Sequence, residues 1–164
     1  MIAEMLLPEF DMEMATTRRV IERVPTEKGK WQPHPRSFSL GHLAQLVANM
    51  PGWITNAVSE TSLNLGEYPG YSYEGTETLV KAFDKHVKEA RNVLASATDA
   101  DFQVQWSLRN GEQVYFTLPR VVVVRQHINH LIHHRGQLTV YLRLVDVPVP
   151  SIYGPTADEQ MPGM

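Results

Sequence analysis

The chain has 164 residues, of which 43% are hydrophobic and 20% charged, and its net charge is −3. This composition fits one globular domain, which we place over residues 1–164, and it excludes the basic surface that a nucleic-acid-binding protein needs. The chain has no cysteine, so disulfides and catalysis by a cysteine thiol are excluded, and no apolar run reaches the length of a membrane span. With its short apolar start and early acidic residue, the sequence predicts a cytoplasmic protein that binds neither nucleic acid nor membrane.

The first predicted helix covers residues 5–24, where apolar residues recur every three or four positions. Pro8 is expected in its first turn, where the missing backbone N–H costs nothing. Acidic residues near its start, including Glu13, and arginines near its end complement the helix dipole, and we expect them to form a solvated face. Prolines and glycines in residues 25–38 then break the helix.

The second predicted helix is capped by Ser37 or Ser39 and continues to Ala57, with a kink or short break at Pro51. Residues 61–75 form a long connection rich in tyrosine and glycine. A connection of this length predicts a crossover, which lets two consecutive helices run in the same direction.

Thr76 is expected to cap the third helix, which continues to Leu94. Residues 102–118 then alternate with period two around Asn110-Gly111, which predicts a β-hairpin. Pro119 opens the fourth helix, which runs to Val145. Residues 147–164 are expected to form an extended tail, with the last five residues disordered. The predicted fold is all-α: a four-helix bundle with a long crossover after the second helix and a small hairpin-like insert before the fourth.

The fourth helix carries four of the seven histidines within residues 127–137. His130 and His134 lie about 40° apart on a helix, so their side chains can converge on one point. Two neutral imidazoles on one rigid element are suitable ligands for a divalent metal, although at least one more protein ligand must come from elsewhere. His127 extends the same ridge, whereas His133 points about 60° to the other side. The alternative is that these histidines are half-buried polar residues at a seam between helices.

Three further residues bear on this site. His42 lies on the flank of the apolar face of the second helix, which makes it the best candidate for a third ligand outside the fourth helix. The alternative is that it is a surface residue. Arg135 interrupts the apolar stripe of the fourth helix. With Tyr141 it could steer an anionic substrate, or it could form a salt bridge inside the bundle.

The predicted helices, the long connection, the hairpin and the motif His-x-x-His-His-Arg-Gly-Gln-Leu at residues 130–138 resemble the DinB superfamily over almost the whole chain. Pro-Gly-Trp at 51–53 and Pro-Ser-Ile-Tyr-Gly-Pro-Thr-Ala-Asp-Glu at 150–159 resemble one of its bacterial branches. The resemblance implies a fold similar to mycothiol-dependent maleylpyruvate isomerase and bacillithiol transferases. It also implies a three-histidine site for nickel, zinc or a related ion, two of whose ligands fall on His130 and His134.

The third family ligand falls on Leu46, and His42 lies one helical turn before it. One turn is about 5.4 Å, which is too far for an unchanged metal position. The site is therefore shifted, weak or lost. If the second and fourth helices ran parallel, a shifted site could use His42, His127 and His130. If they are antiparallel, as the resemblance implies, the shift leads toward Leu138, which cannot bind a metal.

Two functions follow from the resemblance. The first is a metal-dependent thiol transferase or hydrolase acting on a small molecule, with nickel or zinc activating a thiol or water. The second is a non-catalytic, stress-associated bundle with a degenerate metal site. A homodimer is also expected, because members of the family often pair and because four apolar residues of the fourth helix lie off its main stripe. These four residues are Val122, Val123, Val140 and Leu144.

Overall fold

The computed structural model describes residues 1–160, which form four α-helices and a small three-stranded sheet. The helices are α1 (Ile2–Ile21), α2 (Leu40–Ser59), α3 (Thr76–Ser96) and α4 (Arg120–Leu144), and the strands are β1 (Ser62–Asn64), β2 (Gln105–Asn110) and β3 (Gln113–Pro119). The four predicted helices are confirmed. The expectation of disorder in the last five residues falls almost wholly on 161–164, outside the described residues. Within residues 1–160, no helix combines the length and apolar character needed to cross a membrane.

The fold is mostly helical as predicted, and the sheet adds one strand to the predicted hairpin. Strands β2 and β3 form the predicted antiparallel hairpin, and Gly111 in its turn has a positive φ of 57°. The sequence did not indicate β1, which lies in the crossover and pairs in parallel with β2, Ser62 opposite Ser107. Its three residues are too few to show a period of two, and the pairing joins segments far apart in the chain.

Helix α1 begins three residues earlier than predicted. The Ile2 backbone N–H donates to Asp99 Oδ1 at 2.8 Å, so a side chain from the loop after α3 satisfies one of the free N–H groups at the helix start. Pro8 consequently lies inside α1 rather than in its first turn. A contact between residues this far apart leaves no local signal in the sequence.

The beginnings of α2 and α3 are decided by different contacts. Ser39 caps α2 by accepting a hydrogen bond from the His42 backbone N–H at 3.3 Å. The helix continues through Pro51, so of the predicted kink or short break the break is excluded. Gly75 rather than Thr76 is the N-cap of α3. The Thr76 hydroxyl instead lies 2.9 Å from that of Thr26, which ties the start of α3 to the loop after α1.

The core lies among the helices and against the inner face of the sheet. Trp106 of β2 is fully buried, and its Nε1 donates to Asn56 Oδ1 of α2 at 3.0 Å. At the same end of the molecule, Arg120 at the start of α4 donates to the Glu60 carbonyl just after α2. Helices α2 and α4 therefore run in opposite directions.

A buried ion pair joins α1 to α4. Arg135 Nη1 lies 2.6 Å from Glu13 Oε2, and the two side chains are 1% and 3% exposed. The Tyr153 hydroxyl donates to Glu13 Oε1 at 2.7 Å and accepts from Arg135 Nη2 at 3.0 Å, so the C-terminal tail completes the network. The expectation that Glu13 is solvated is wrong, because its ion-pair partner comes from a helix distant in the sequence.

Candidate functional site

His130 and His134 converge as the helical spacing predicts. Their Nε2 atoms are 2.9 Å apart, and the ring centroids are separated by 4.7 Å. Two nitrogens bound to one tetrahedral zinc ion lie roughly 3.3 Å apart, given zinc–nitrogen bonds of about 2.0–2.1 Å. A small rotation of either imidazole therefore lets both atoms contact one metal ion.

Gln137 orients the pair from the next turn of α4. Its Oε1 lies 2.7 Å from His134 Nδ1 and its Nε2 lies 3.1 Å from His133 Nε2. Because an amide oxygen can only accept, His134 carries its proton on Nδ1 and leaves Nε2 free as an acceptor or metal ligand. Burial, followed by the neighbouring imidazoles of His134 and His133, lowers the pKa of His130. Burial likewise lowers the pKa of His134, which keeps both rings neutral at pH 7.

His127, one turn earlier on α4, is held between two tryptophans. Its ring packs edge to face against Trp53 and Trp106, at centroid distances of 5.7 and 6.1 Å. Its Nε2 is buried without a hydrogen-bond partner among the described residues. Burial lowers the pKa of His127 to about 4, so the ring is neutral at physiological pH.

A cavity of about 660 Å³ opens beside His127 and His130. It lies between α2, α4, the sheet and the crossover. Its walls combine aromatic rings and aliphatic side chains, among them Trp53, Tyr68, Tyr71, Leu63, Leu108 and Phe116. The sequence pattern did not predict this cavity. The tyrosines of the crossover were the one indication of it in the sequence. They line a cavity because β1 pairs the crossover with the hairpin.

His42 of α2 is stacked between two aromatic rings, one of which belongs to the crossover. The Phe38 ring is 4.3 Å away and nearly parallel, and the Tyr71 ring is 4.4 Å away. Burial lowers the pKa of His42. Tyr71 also lines the cavity, so His42 supports the wall of the cavity from behind. Its role as a metal ligand stays a prediction.

The direction of α2 fixes which residues lie level with the histidine pair. Trp53 of α2 contacts His127 and His130 of α4. Because the helices are antiparallel and rise equally per residue, Leu46, seven residues before Trp53, lies level with residues 134–137. By the same reasoning His42 lies level with residues 138–141. Among residues 1–160, no group of three His, Cys, Asp or Glu side chains is placed to hold a metal ion.

Arg135 belongs to the core rather than to the cavity. Its guanidinium pairs with Glu13 and lies over the Tyr153 ring at 5.4 Å. Of the two interpretations of this residue, the salt bridge inside the protein is confirmed. Tyr141 packs edge to face on Trp31 at 5.6 Å, at the end of α4 away from the hairpin.

Comparison with known proteins identifies the family to which the chain belongs. The sequence model described as DinB family matches residues 2–163. The chain belongs to the DinB family. A curated relative, the Bacillus subtilis (strain 168) protein named "Uncharacterized protein YrdA", is 27% identical over 157 residues, which cover 93% of this chain and 89% of the relative.

Solved DinB-like structures share the fold. A DinB-like protein from Bacillus cereus ATCC 10987 superposes with a TM-score of 0.70 at 22% identity, covering 90% of this chain and 95% of the other. The DinB-like protein YjoA from Bacillus subtilis gives 0.69 at 16% identity, with 88% and 96% coverage. A DinB-family member from Exiguobacterium sibiricum 255-15 gives 0.65 at 21% identity, with 88% and 92% coverage. At these identities the likeness establishes the fold alone.

Proposed function

We propose that this DinB-family protein binds nickel, zinc or a related divalent ion through His130 and His134 and acts on a small molecule as a thiol transferase or hydrolase. The observation that carries the proposal is the 2.9 Å approach of the two Nε2 atoms, with Gln137 fixing the His134 tautomer. A bound divalent ion with open coordination positions would activate a thiol or a water molecule as the nucleophile. The cavity beside His130 would hold the other reactant.

The chain's own residues perform separable tasks in this proposal. His134 presents a neutral lone pair at Nε2. His130, whose Nε2–H donates to that atom, would present its own lone pair once its proton moves to Nδ1, and burial lowers the pKa of both rings. Gln137 holds the ring of His134 in place, and aromatic side chains line the adjoining cavity. The proposal keeps His42 as a third ligand only if its ring leaves the stack between Phe38 and Tyr71.

A second function is favoured by Leu46. This residue stands where the family places its third histidine, and its side chain is 7% exposed within the core. With two imidazoles instead of three, metal affinity falls, and the protein could act as a non-catalytic, stress-associated binding protein with a degenerate site. The four-helix bundle with a long crossover, the homodimer and the cytoplasmic location belong to both proposals.

Calorimetric titration of tag-free protein with nickel and zinc tests the metal proposal. We expect one ion per chain in the wild type, no saturable binding in His130→Ala or His134→Ala, and about tenfold weaker binding in Gln137→Ala. His86→Ala is the matched control, since His86 lies on α3 and contacts Glu89. Saturable binding that survives both ligand substitutions would contradict the proposal. Activity toward thiol and ester substrates in the metal-loaded protein then separates the enzyme from the non-catalytic alternative.

A further inference from the structure

The walls of the cavity beside the histidine pair carry no formal charge. Among the described residues that line it, there is no Asp, Glu, Lys or Arg. Burial between Trp53 and Trp106 lowers the pKa of His127 to about 4, so this histidine is neutral at pH 7. A charged ligand entering this space would lose its hydration without gaining a counter-ion. The cavity therefore selects against ions.

Two polar groups of the wall satisfy each other. Trp53 Nε1 donates to the Tyr68 hydroxyl at 2.7 Å. Burial, with Tyr68 beside it, raises the pKa of Tyr71, so this phenol stays protonated and uncharged at pH 7. A ligand consequently meets ring faces and aliphatic carbons. The faces of Trp53, Tyr71 and Phe116 favour stacking or edge contacts with a flat ring system.

One end of the cavity differs from the rest. His130 lines the cavity and also approaches His134, so the cavity adjoins the paired Nε2 atoms at this residue. Gln126, on the preceding turn of α4, adds an amide to the same wall. The apolar volume of about 660 Å³ lies within the range of about 300–1,000 Å³ that holds small organic ligands.

We infer that this cavity is a binding site for uncharged, aromatic small molecules of two or three rings, held by stacking in the apolar space with their one polar group directed at His130. The binding of the ring system stands independently of any metal. The orientation of the polar group rests on the proposed function, since that end would face the ion held by His130 and His134. The ligand class thereby identifies the kind of reactant that the site would take.

A matched pair of fluorescent probes tests the selection against charge. N-phenyl-1-naphthylamine is neutral, and 1-anilinonaphthalene-8-sulfonate is the same ring system with one sulfonate group. In metal-free wild-type protein, we expect the neutral probe to bind once per chain with a dissociation constant of about 0.1 mM or tighter. The sulfonate should bind at least about tenfold more weakly. Quenching of tryptophan emission should accompany binding, because Trp53 lines the cavity.

One substitution should reverse this preference. Leu108 lies on β2 opposite Phe116 and lines the cavity, so Leu108→Lys places an ammonium group in the apolar space. We expect the neutral probe to lose at least about tenfold in affinity and the sulfonate to gain by a similar factor. Val114→Lys is the control, because Val114 is 55% exposed on β3 and does not line the cavity. Thermal melting followed by circular dichroism checks that both variants are folded.

The wild-type comparison decides the inference even if Leu108→Lys fails to fold. Absence of saturable binding by the neutral probe, or equal affinity for both probes, overturns it. In a folded Leu108→Lys variant, unchanged affinity for the neutral probe also overturns it, since the binding would then lie elsewhere. The proposed function fails separately: probe binding without nickel or zinc binding would leave the ligand site standing and remove the metal.

Discussion

His127 shows how a single residue can make the stability of this protein depend on pH. Its ring lies between Trp53 and Trp106 and stays neutral, because burial lowers its pKa to about 4. The unfolded chain takes up a proton on this residue below about pH 6.5. Between these two values the unfolded state binds more protons than the folded state, so folding is weakened as the pH falls.

We therefore expect His127→Phe to remove part of the acid sensitivity. Between pH 7 and pH 5 the wild type should lose about 2 kcal/mol of unfolding free energy through this histidine. The variant should lose that much less over the same interval. Urea unfolding at the two pH values measures the difference, and His34→Phe, on the exposed loop, is the control. Identical pH dependence in wild type and His127→Phe would show that His127 is not held neutral.

The ion pair of Glu13 and Arg135 gives a second prediction at the scale of residues. Both side chains are buried, so Glu13→Ala leaves the guanidinium without a counter-ion. The variant should lose about 3–5 kcal/mol of unfolding free energy. The pair of Asp11 and Arg91, in which the side chains are 42% and 50% exposed, provides the control on the same helix. Asp11→Ala should cost less than about 1 kcal/mol. Equal losses of unfolding free energy in the two variants, measured by chemical denaturation, would contradict the difference in burial between the two ion pairs.

At the scale of elements, two glycines in helices should respond oppositely to alanine. A Cβ on Gly41 of α2 would lie 2.6 Å from the Tyr73 ring and 2.9 Å from the Gly29 carbonyl oxygen. A Cβ on Gly136 of α4 would meet nothing within 4 Å. Gly41→Ala should therefore destabilise the protein, whereas Gly136→Ala should stabilise it by about 0.5–1 kcal/mol. Thermal melts of both variants test this, and a stabilised Gly41→Ala would refute the close packing of the crossover on α2.

Local periodicity predicted the elements well and their tertiary contacts poorly. Helical spacing predicted α4 and the convergence of His130 and His134, because both depend on residues three or four apart. Asp99 caps the start of α1, β2 pairs with β1, and Arg135 pairs with the buried Glu13. Each of these partners is distant in the sequence from the element it contacts. No pattern within one segment reports such partners. The cavity is likewise missed, since four separate segments form it.

The C-terminal tail shows the same limit. Its motif at residues 150–159 was useful only as a family resemblance, yet its side chains make specific contacts. Tyr153 bonds to Glu13 and Arg135 in the core. Glu159 pairs with Arg19 of α1 and with Arg23 just after this helix, and Asp158 pairs with Arg143 of α4. The C-terminal tail therefore connects α1 to α4 through its side chains.

At the scale of the whole molecule, α4 carries the face on which we base the predicted homodimer. Val122, Val140 and Leu144 are exposed, at 39%, 56% and 56%. Val123, which was expected to share this face, is fully buried in the core and cannot contribute. Three exposed apolar residues on one helix favour a partner but do not identify it.

Sedimentation velocity tests the dimer. The protein concentration should be tens of micromolar, about the order that a modest interface requires. We expect a dimer in the wild type and a shift toward monomer in Val140→Asp. Val114→Asp, on the exposed face of β3, should leave the dimer intact. A wild type that sediments as a monomer would contradict the prediction.

We propose that His130 and His134 together bind one divalent ion while Leu46 occupies the place of a third ligand. X-ray absorption at the nickel edge of the loaded, tag-free protein counts the imidazoles directly. We predict two imidazole ligands in the wild type and in Leu46→Ala, three in Leu46→His, and no specifically bound nickel in His130→Ala. Three imidazoles in the wild type, with one lost in His42→Ala, would contradict the role given to Leu46, and imidazole scattering unchanged in His130→Ala would contradict the site itself.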